Sequence, residues 1–296
     1  KSVILTDEVL KAFEECSDLA PLHNPANLKG VNAVKELMPG LPQVGVFDTA
    51  FHQTMPAKAY MYAIPYELYE KYAVRRYGFH GTSHRYVSAR ALEFLGMKAE
   101  GTKMITCHIG NGGSIAAVVD GKCIDTSMGL TPLEGLVMGT RAGDIDGGAV
   151  TFIEKKLGLD ADGMSNLLNK KSGVAGITGG SSDMRDVENA AKAGEPKAVL
   201  AQQMYFYRIK KYIGAYAAAM GGVDVIVFTA GVGENQISMR SEVCKGLEFL
   251  GVKFDDQKNQ VRGEEAIISA DDSKVKVVVI PTDEELMIAT DTMNLL

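Results

Sequence analysis

The chain of 296 residues contains no tryptophan, and its four cysteines, Cys16, Cys107, Cys123 and Cys244, form no CxxC pair. The missing tryptophan excludes no fold or function. The scattered cysteines predict small buried hydrophobic side chains in a reducing compartment. An excess of positive charge is also lacking, because the formal net charge is −6 at pH 7. This charge argues against a nucleic acid or an anionic membrane as the main partner.

Long uninterrupted apolar runs are missing as well. The most apolar stretch, residues 212–233, contains Asp224 and is broken by Gly221 and Gly222. It therefore predicts a buried helix, a turn and a buried strand instead of a membrane span. Residues 2–5 are too short an apolar run for a signal peptide. These features predict a cytoplasmic protein without a membrane partner.

Alternating and continuous apolar segments define the expected fold. Strands are predicted at residues 104–109, 114–119 and 122–126, with turns at Asn111-Gly112 and Asp120-Gly121. Two further buried strands are predicted at residues 223–230 and 274–280. A three-strand meander followed by two β–α units is typical of a ribonuclease-H-like layer. The fold class is therefore α/β, with a mixed sheet covered by helices on both faces.

Helix signals lie between and around these strands. Thr6 is expected to cap a helix that runs to about residue 19. Thr82 or Ser83 is expected to cap a second helix, which Gly96 ends. A long helix is predicted around residues 199–216, and residues 281–285 precede a terminal helix.

Two glycine-rich segments can bring backbone amides to an anion. Residues 77–84 place His80 between glycines at a helix start, and residues 108–114 form a turn between strands. Two such places in one chain suggest phosphate chemistry. Each has a structural alternative, since Asn111-Gly112 fits a type I′ hairpin turn. Gly231–Asn235 fits a tight strand-to-helix turn, and Asp183 fits a helix N-cap.

Several charged or metal-binding side chains leave alternatives open. His80 and His84 have zinc-ligand spacing, but no glutamate lies between them and no third ligand is indicated. Arg141 lies on a segment rich in glycine and aspartate, which suits an oxyanion clamp or a solvated salt bridge. Glu284 suits a Mg²⁺ ligand or a capping acid at a helix start.

The order of these motifs is more specific than any one of them. The motifs are FDTAFH (47–52), RYGFHGTSH (76–84), HIGNGGS (108–114), GTRAGD (139–144), FTAGVGEN (228–235) and PTDEE (281–285). Together they resemble the acetate kinase family, across the whole chain. The resemblance implies the actin-like ATPase architecture, in which two ribonuclease-H-like domains close over ATP. Residues 51–284 would form the nucleotide-binding domain, and residues 1–50 with 285–296 a remnant of the first domain.

The resemblance also implies a role for individual residues. The catalytic residues would be Asp48, His80 and Arg141, Glu284 would bind Mg²⁺ or Mn²⁺, and Leu22, Phe79 and Pro132 would surround the acetate methyl group. The nucleotide-binding residues would be His108, Ile109, Gly110, Asn111, Gly112, Asp183, Met184, Arg185, Gly231, Val232, Gly233, Glu234 and Asn235. A carboxylate substrate, with a pKa of roughly 4, needs no general base at pH 7. Asp48 is therefore expected to organise Mg²⁺-bound water or Arg141.

The expected reaction is reversible phosphoryl transfer between ATP and acetate, giving ADP and acetyl phosphate. The expected assembly is a homodimer that acts on small molecules. The alternatives are a propionate kinase with a roomier pocket, a nucleotide-binding fragment without activity, and, more distantly, a zinc hydrolase. The fragment alternative arises because the family's N-terminal Mg²⁺-binding Asn, Ser-rich phosphate loop and substrate-binding Arg are not found in this sequence.

Overall fold

A computed structural model describes residues 1–16 and 24–296 of the chain. The strands of this part are β1 (Val3–Ile4), β2 (Val44–Gly45), β3 (Lys103–Ile109), β4 (Gly113–Val119), β5 (Lys122–Thr126), β6 (Val225–Thr229), β7 (Ala266–Ile267) and β8 (Lys276–Val279). The α-helices of the N-terminal half are α1 (Asp7–Glu15), α2 (Asn24–Leu37), α3 (Ala57–Tyr60), α4 (Glu67–Tyr72), α5 (Gly81–Leu95) and α6 (Gly147–Leu157). Those of the C-terminal half are α7 (Ala161–Lys170), α8 (Gly173–Thr178), α9 (Met184–Lys192), α10 (Pro196–Met220), α11 (Ala230–Asn235), α12 (Ile237–Cys244) and α13 (Glu284–Leu295). Short 3-10 helices lie at Ala50–Thr54 and Glu248–Leu250.

A six-stranded mixed sheet in the order β5-β4-β3-β6-β8-β7 organises the described residues. β4 is antiparallel to β3 and β5, whereas β3, β6 and β8 are parallel. The predicted meander followed by two β–α units is therefore confirmed. β7 adds an antiparallel edge strand that the sequence pattern did not predict.

Helices cover both faces of this sheet. On one face, Ile105, Cys107 and Ile109 of β3 pack into a cluster with the buried side of α10. On the other face, Met104 of β3 packs with Val87 and other apolar residues of α5. Alternate residues of each strand face opposite sides, so both faces are apolar and the strands read as continuous hydrophobic segments. Thr106 and His108 lie on the α5 face, because they alternate with the residues facing α10.

Residues before the sheet form a small separate pairing. β1 and β2 are antiparallel to each other, and α1 begins after Thr6, whose hydroxyl accepts a hydrogen bond from the Val9 amide. This cap is the predicted one. α13 is tied to α5 by the ion pair of Arg85 with Asp291, at 2.6 Å.

The structure also tests smaller predictions. Cys107, Cys123 and Cys244 are buried, as expected, whereas Cys16 is exposed, and the expectation was wrong there. Gly96 ends α5 in the left-handed conformation, at φ 64°, as predicted. In residues 1–16 and 24–296, no helix combines the length and apolar character that a bilayer crossing needs.

Candidate active site

Asp48 fixes the start of α5 from outside the helix. Its Oδ2 atom accepts a hydrogen bond from the His80 amide at 2.7 Å, and Oδ1 accepts one from the Thr82 amide at 3.4 Å. Its backbone carbonyl accepts from the Gly81 amide at 2.8 Å. The prediction that Thr82 or Ser83 caps this helix was wrong, because the N-cap position is His80 and the capping carboxylate comes from 32 residues earlier.

The backbone around His80 is held in an unusual conformation. His80 has φ 55°, in the left-handed backbone region that residues other than glycine seldom adopt. A Cβ on Gly81 would lie 2.1 Å from the Asp48 carbonyl oxygen, so only glycine permits this approach. On the other side, His52 Nε2 is 2.9 Å from the Phe79 carbonyl oxygen. These contacts aim the His80 ring at the end of β3.

His80, Arg141 and Gly112 converge at one point. A Cβ built on Gly112 would lie 3.4 Å from Arg141 Nη1 and 3.6 Å from His80 Nε2. Two nitrogen groups therefore meet at the loop between β3 and β4, where a glycine leaves room for a ligand. Arg141 Nη1 also lies 3.4 Å from the Pro132 carbonyl oxygen.

Arg141 is a half-buried guanidinium without an acidic neighbour. In residues 1–16 and 24–296, no carboxylate lies within ion-pair distance of it. Burial lowers the pKa of Arg141, but a guanidinium stays charged in proteins. A desolvated, unpaired positive charge is a site for an anion. The described residues therefore give Arg141 no salt bridge, and the oxyanion clamp stays a prediction.

The loop between β3 and β4 is not a type I′ turn. Such a turn needs positive φ at both central residues, and neither Asn111 nor Gly112 has it. The Asp120-Gly121 turn does, with φ 52° and 73°. Instead, the Gly110 amide bonds to the Gly112 carbonyl at 3.0 Å. The exposed Asn111 accepts a hydrogen bond from the Gly139 amide with its backbone oxygen, at 3.0 Å.

The loop that follows β6 is coiled into the short helix α11 and reaches the same edge of the sheet. Ala230 adopts φ 64° at its start, and its amide donates to Glu234 Oε1 at 2.7 Å. The same carboxylate oxygen accepts from the Thr282 amide at 3.1 Å. Gly233 packs against the carbonyl of Cys107 and the side chain of Ile109. Glu234 therefore bonds to backbone within the protein and joins this loop to the one preceding α13.

The other predicted nucleotide-binding residues differ in their exposure. Asp183 caps α9 and is paired with Arg185 at 2.6 Å. Hydrogen bonds from Arg185 lower the pKa of Asp183 to about 2. Met184 is buried in the core and Val232 packs against it, so these two side chains serve packing. Gly231 and Asn235 are exposed, and the Asn235 amide nitrogen bonds to the Gly231 carbonyl at 2.9 Å.

Glu284 begins α13, next to the N-cap residue Asp283. Its side chain is half-buried, and burial followed by the negative charge of Asp48 raises its pKa. Two carboxyl groups that repel each other suit a divalent cation. In the described ranges no cluster of three or more histidine, cysteine or carboxylate side chains is arranged to hold a metal.

The expected acyl pocket is described in part. Phe79 precedes His80 and is half-buried, and the Pro132 carbonyl contacts Arg141. The Pro132 carbonyl therefore borders the point where the charged groups meet, and Phe79 is the neighbour of His80 in the chain. Leu22 lies outside the described residues.

Known proteins of similar sequence and structure identify the family of this chain. Residues 1–290 match the model of the acetokinase family. The chain is 77% identical to an acetate kinase of Phocaeicola vulgatus over all 296 residues, which span 74% of that protein. The chain belongs to the acetokinase family. Among solved structures, an acetate kinase of Porphyromonas gingivalis is 62% identical with a TM-score of 0.96, covering 99% of this chain and 74% of that one. A propionate kinase of Francisella tularensis is 47% identical with a TM-score of 0.94, covering 100% and 76%.

This chain also contains a buried polar network that the sequence motifs did not predict. Four of the five histidines lie together: His80 stacks on His108 at 4.0 Å, and His52 meets His84 edge-on at 5.7 Å. A signal existed in strand alternation, because Thr106, His108 and Ser114 fall on one face, opposite the i, i+4 pair of α5. The two histidines of that pair share the Ser114 hydroxyl as a hydrogen-bond partner, an arrangement different from the shared zinc considered above.

Asp48→Asn is expected to lower both stability and turnover in this acetokinase. The asparagine side chain has one acceptor oxygen, whereas the Asp48 carboxylate now accepts from two backbone amides. About 1 kcal/mol of helix-capping stability is therefore lost. Displacement of His80 by about 1 Å can cost about 10²-fold in kcat. Steady-state kinetics and urea unfolding measure the two effects.

The matched control is Asp160→Asn, which alters the N-cap carboxylate of α7. Only the Gly163 amide donates to Asp160, and asparagine caps a helix as well as aspartate, so this variant should leave both stability and kcat nearly unchanged. An equal kcat in the Asp48 variant and the wild type would contradict the positioning role.

Acid is expected to destabilise the fold below neutral pH. Burial lowers the pKa of His52 from 6.5 to about 4, so the unfolded chain binds this proton at a higher pH than the native chain. The contribution of neutral His52 to the free energy of unfolding is fully present above pH 6.5 and is lost as pH falls towards 4. At pH 5, His52 alone accounts for about 2 kcal/mol. Urea unfolding at pH 7 and pH 5 measures the loss, which His52→Gln should reduce by that amount.

Proposed function

We propose that this acetokinase transfers a phosphoryl group reversibly between ATP and acetate, giving ADP and acetyl phosphate. The observation that carries the proposal is the Arg141 guanidinium, which has no carboxylate partner among the described residues and meets His80 Nε2 beside Gly112. The arrangement supplies positive charge and a hydrogen-bond donor to an anion held at a glycine loop. The family membership and the acetate kinases that this chain resembles support the choice of acid.

In the forward direction an acetate oxygen attacks the γ-phosphorus as the bond to the β,γ-bridging oxygen breaks. ADP leaves with that electron pair. Acetate is ionised at pH 7, so no residue has to remove a proton. The transferring group is metaphosphate-like and its charge lies on the equatorial oxygens. Arg141 and His80 meet that charge, and Asp48 holds His80 in place.

The loops at the sheet edge divide the remaining work. Backbone amides of residues 108–112 would hold the phosphates, and the exposed parts of residues 183–185 and 231–235 would border the adenosine. Phe79 and Pro132, together with Leu22, would limit the acyl group.

Glu284 fits a magnesium ligand. Its carboxyl group is half-buried, lies near the charge of Asp48, and has a raised pKa, so a cation would relieve the repulsion. Mg²⁺ prefers oxygen ligands and keeps several waters. When bound, it neutralises phosphate charge. Mn²⁺ takes the same oxygen ligands.

A propionate kinase is the second candidate, favoured by the likeness to the Francisella tularensis structure. An apolar pocket distinguishes one methylene by about 10- to 200-fold. Trapping the acyl phosphate with hydroxylamine, with acetate and propionate in parallel, decides between them. We expect the higher kcat/KM with acetate. A higher value with propionate would assign the second function, and no hydroxamate with either acid would refute both.

The remaining expectations concern organisation. We propose residues 51–284 as the nucleotide-binding domain, since the six-stranded sheet lies wholly within them. Residues 1–50 and 285–296 are assigned to the other domain because β1 pairs with β2 and Ser2 bonds to Asp291. A homodimer agrees with the exposed apolar side chains Phe152 and Leu157 on α6. Cytoplasmic location agrees with these small-molecule substrates.

A further inference from the structure

A chain of hydrogen bonds leads from the core of the sheet to His80. Thr106 Oγ1 is 2.7 Å from His84 Nδ1. His84 Nε2 is 2.7 Å from Ser114 Oγ, which is 2.9 Å from His80 Nδ1. Thr106, His84 and Ser114 are all 0% exposed. His80 Nε2 remains as the ring nitrogen facing Arg141 and Gly112.

The two hydroxyls and two rings can share their protons in one fully satisfied way. Thr106 donates to His84 Nδ1, His84 donates from Nε2 to Ser114, and Ser114 donates to His80 Nδ1. In the reverse direction Thr106 would accept from His84. Its own proton would then have no acceptor, because Thr106 Oγ1 has no second hydrogen-bond partner in residues 1–16 and 24–296. A buried donor left unsatisfied is costly.

The two mixed arrangements of these protons are also unfavourable. If His84 carried its proton on Nδ1 while Ser114 donated to His80, two lone pairs would face each other across 2.7 Å. If both rings donated to Ser114, its single proton would have no acceptor. Both rings are neutral in this scheme, and burial, the largest cause in each case, lowers the pKa of His80 and of His84.

We propose that Thr106, His84 and Ser114 act as positioning residues that hold His80 as the neutral tautomer with its proton on Nε2. In that form Nε2–H donates to the transferring phosphoryl group. The other tautomer aims a lone pair at the same oxygen and repels it. The consequence for kcat rests on the proposed function, whereas the tautomer itself is a property of the protein alone.

The direct test is the nitrogen chemical-shift pattern of His80 in ¹⁵N-histidine-labelled protein without ligands. Long-range ¹H–¹⁵N correlation distinguishes a proton on Nε2 from one on Nδ1, and His80→Gln assigns the signal. We expect the Nε2–H form in the wild type. A wild-type ring protonated on Nδ1 would overturn the proposal, whatever the enzyme does to acetate.

Thr106→Val removes the first hydroxyl of the chain at nearly constant volume. We expect a mixture of His80 tautomers and a kcat about tenfold lower, the effect of one unmade buried hydrogen bond, with KM for ATP unchanged. Thr106→Ser keeps a hydroxyl and should retain the pure Nε2–H form of His80 and the wild-type kcat. Ser114→Ala should have the same effects as Thr106→Val, which guards against poor folding of either variant.

The matched control is Thr126→Val. Thr126 is also 0% exposed, but its hydroxyl donates to the Ile115 carbonyl. It should lose similar stability and keep the Nε2–H form and the wild-type kcat. A pure Nε2–H ring in both Thr106→Val and Ser114→Ala would overturn the proposal. A pure Nε2–H ring in the wild type and a mixed ring in the variants, with no activity of either toward any acid, would refute the proposed function and leave the tautomer control standing.

Discussion

Arg141→Ala is expected to lower kcat by about 10³- to 10⁵-fold, the range for an arginine that stabilises a transferring phosphoryl group. The size follows from its surroundings: no carboxylate in the described residues shares its charge, and His80 Nε2 lies at the same point. The KM for ATP should change far less, because the interaction strengthens in the transition state. Steady-state kinetics of both directions measure the effect.

Arg141→Lys should recover only part of that loss, since an ammonium group lacks the planar fork of a guanidinium. Arg90→Ala is the matched control. Arg90 lies on α5 and forms an ion pair with Glu265 at 2.5 Å. It should leave kcat unchanged. If Arg141→Ala kept the wild-type kcat, the phosphoryl group would have to bind elsewhere.

His80→Ala is expected to lower kcat by about 10²- to 10³-fold, the usual cost of removing one preorganised donor at developing negative charge. His80→Gln places an amide N–H near the position of Nε2 and should retain more activity than alanine. Binding of ADP, measured by calorimetry, should stay within a few-fold of the wild type in both variants. A glutamine variant no better than alanine would argue that His80 does not act by donating this hydrogen bond.

The sequence predicted the sheet because its signals are local. Strand alternation, the Asp120-Gly121 turn and the long helix α10 each depend on residues within a few positions. The meander and the two later β–α units predicted a ribonuclease-H-like layer. The sequence order of the motifs identified the family, and the structure places His80, Arg141 and Gly112 at one point.

The sequence could not predict how distant residues reach the site. The capping of α5 depends on Asp48, far before the helix, so the local Thr82 and Ser83 signals were misleading. The Glu234 carboxylate fits a nucleotide contact by motif, yet it is bonded to backbone amides of two loops. Such roles depend on tertiary contacts that no spacing rule encodes.

Because Glu234 is bonded to both segments, the binding of nucleotide and the binding of magnesium should depend on each other. The loop after β6 borders the expected adenosine position, and Thr282 lies two residues before Glu284. Any motion that opens one loop pulls on a carboxylate oxygen held by the other. Nucleotide binding and magnesium binding should therefore be coupled, so that each ligand changes the equilibrium affinity for the other by the same factor.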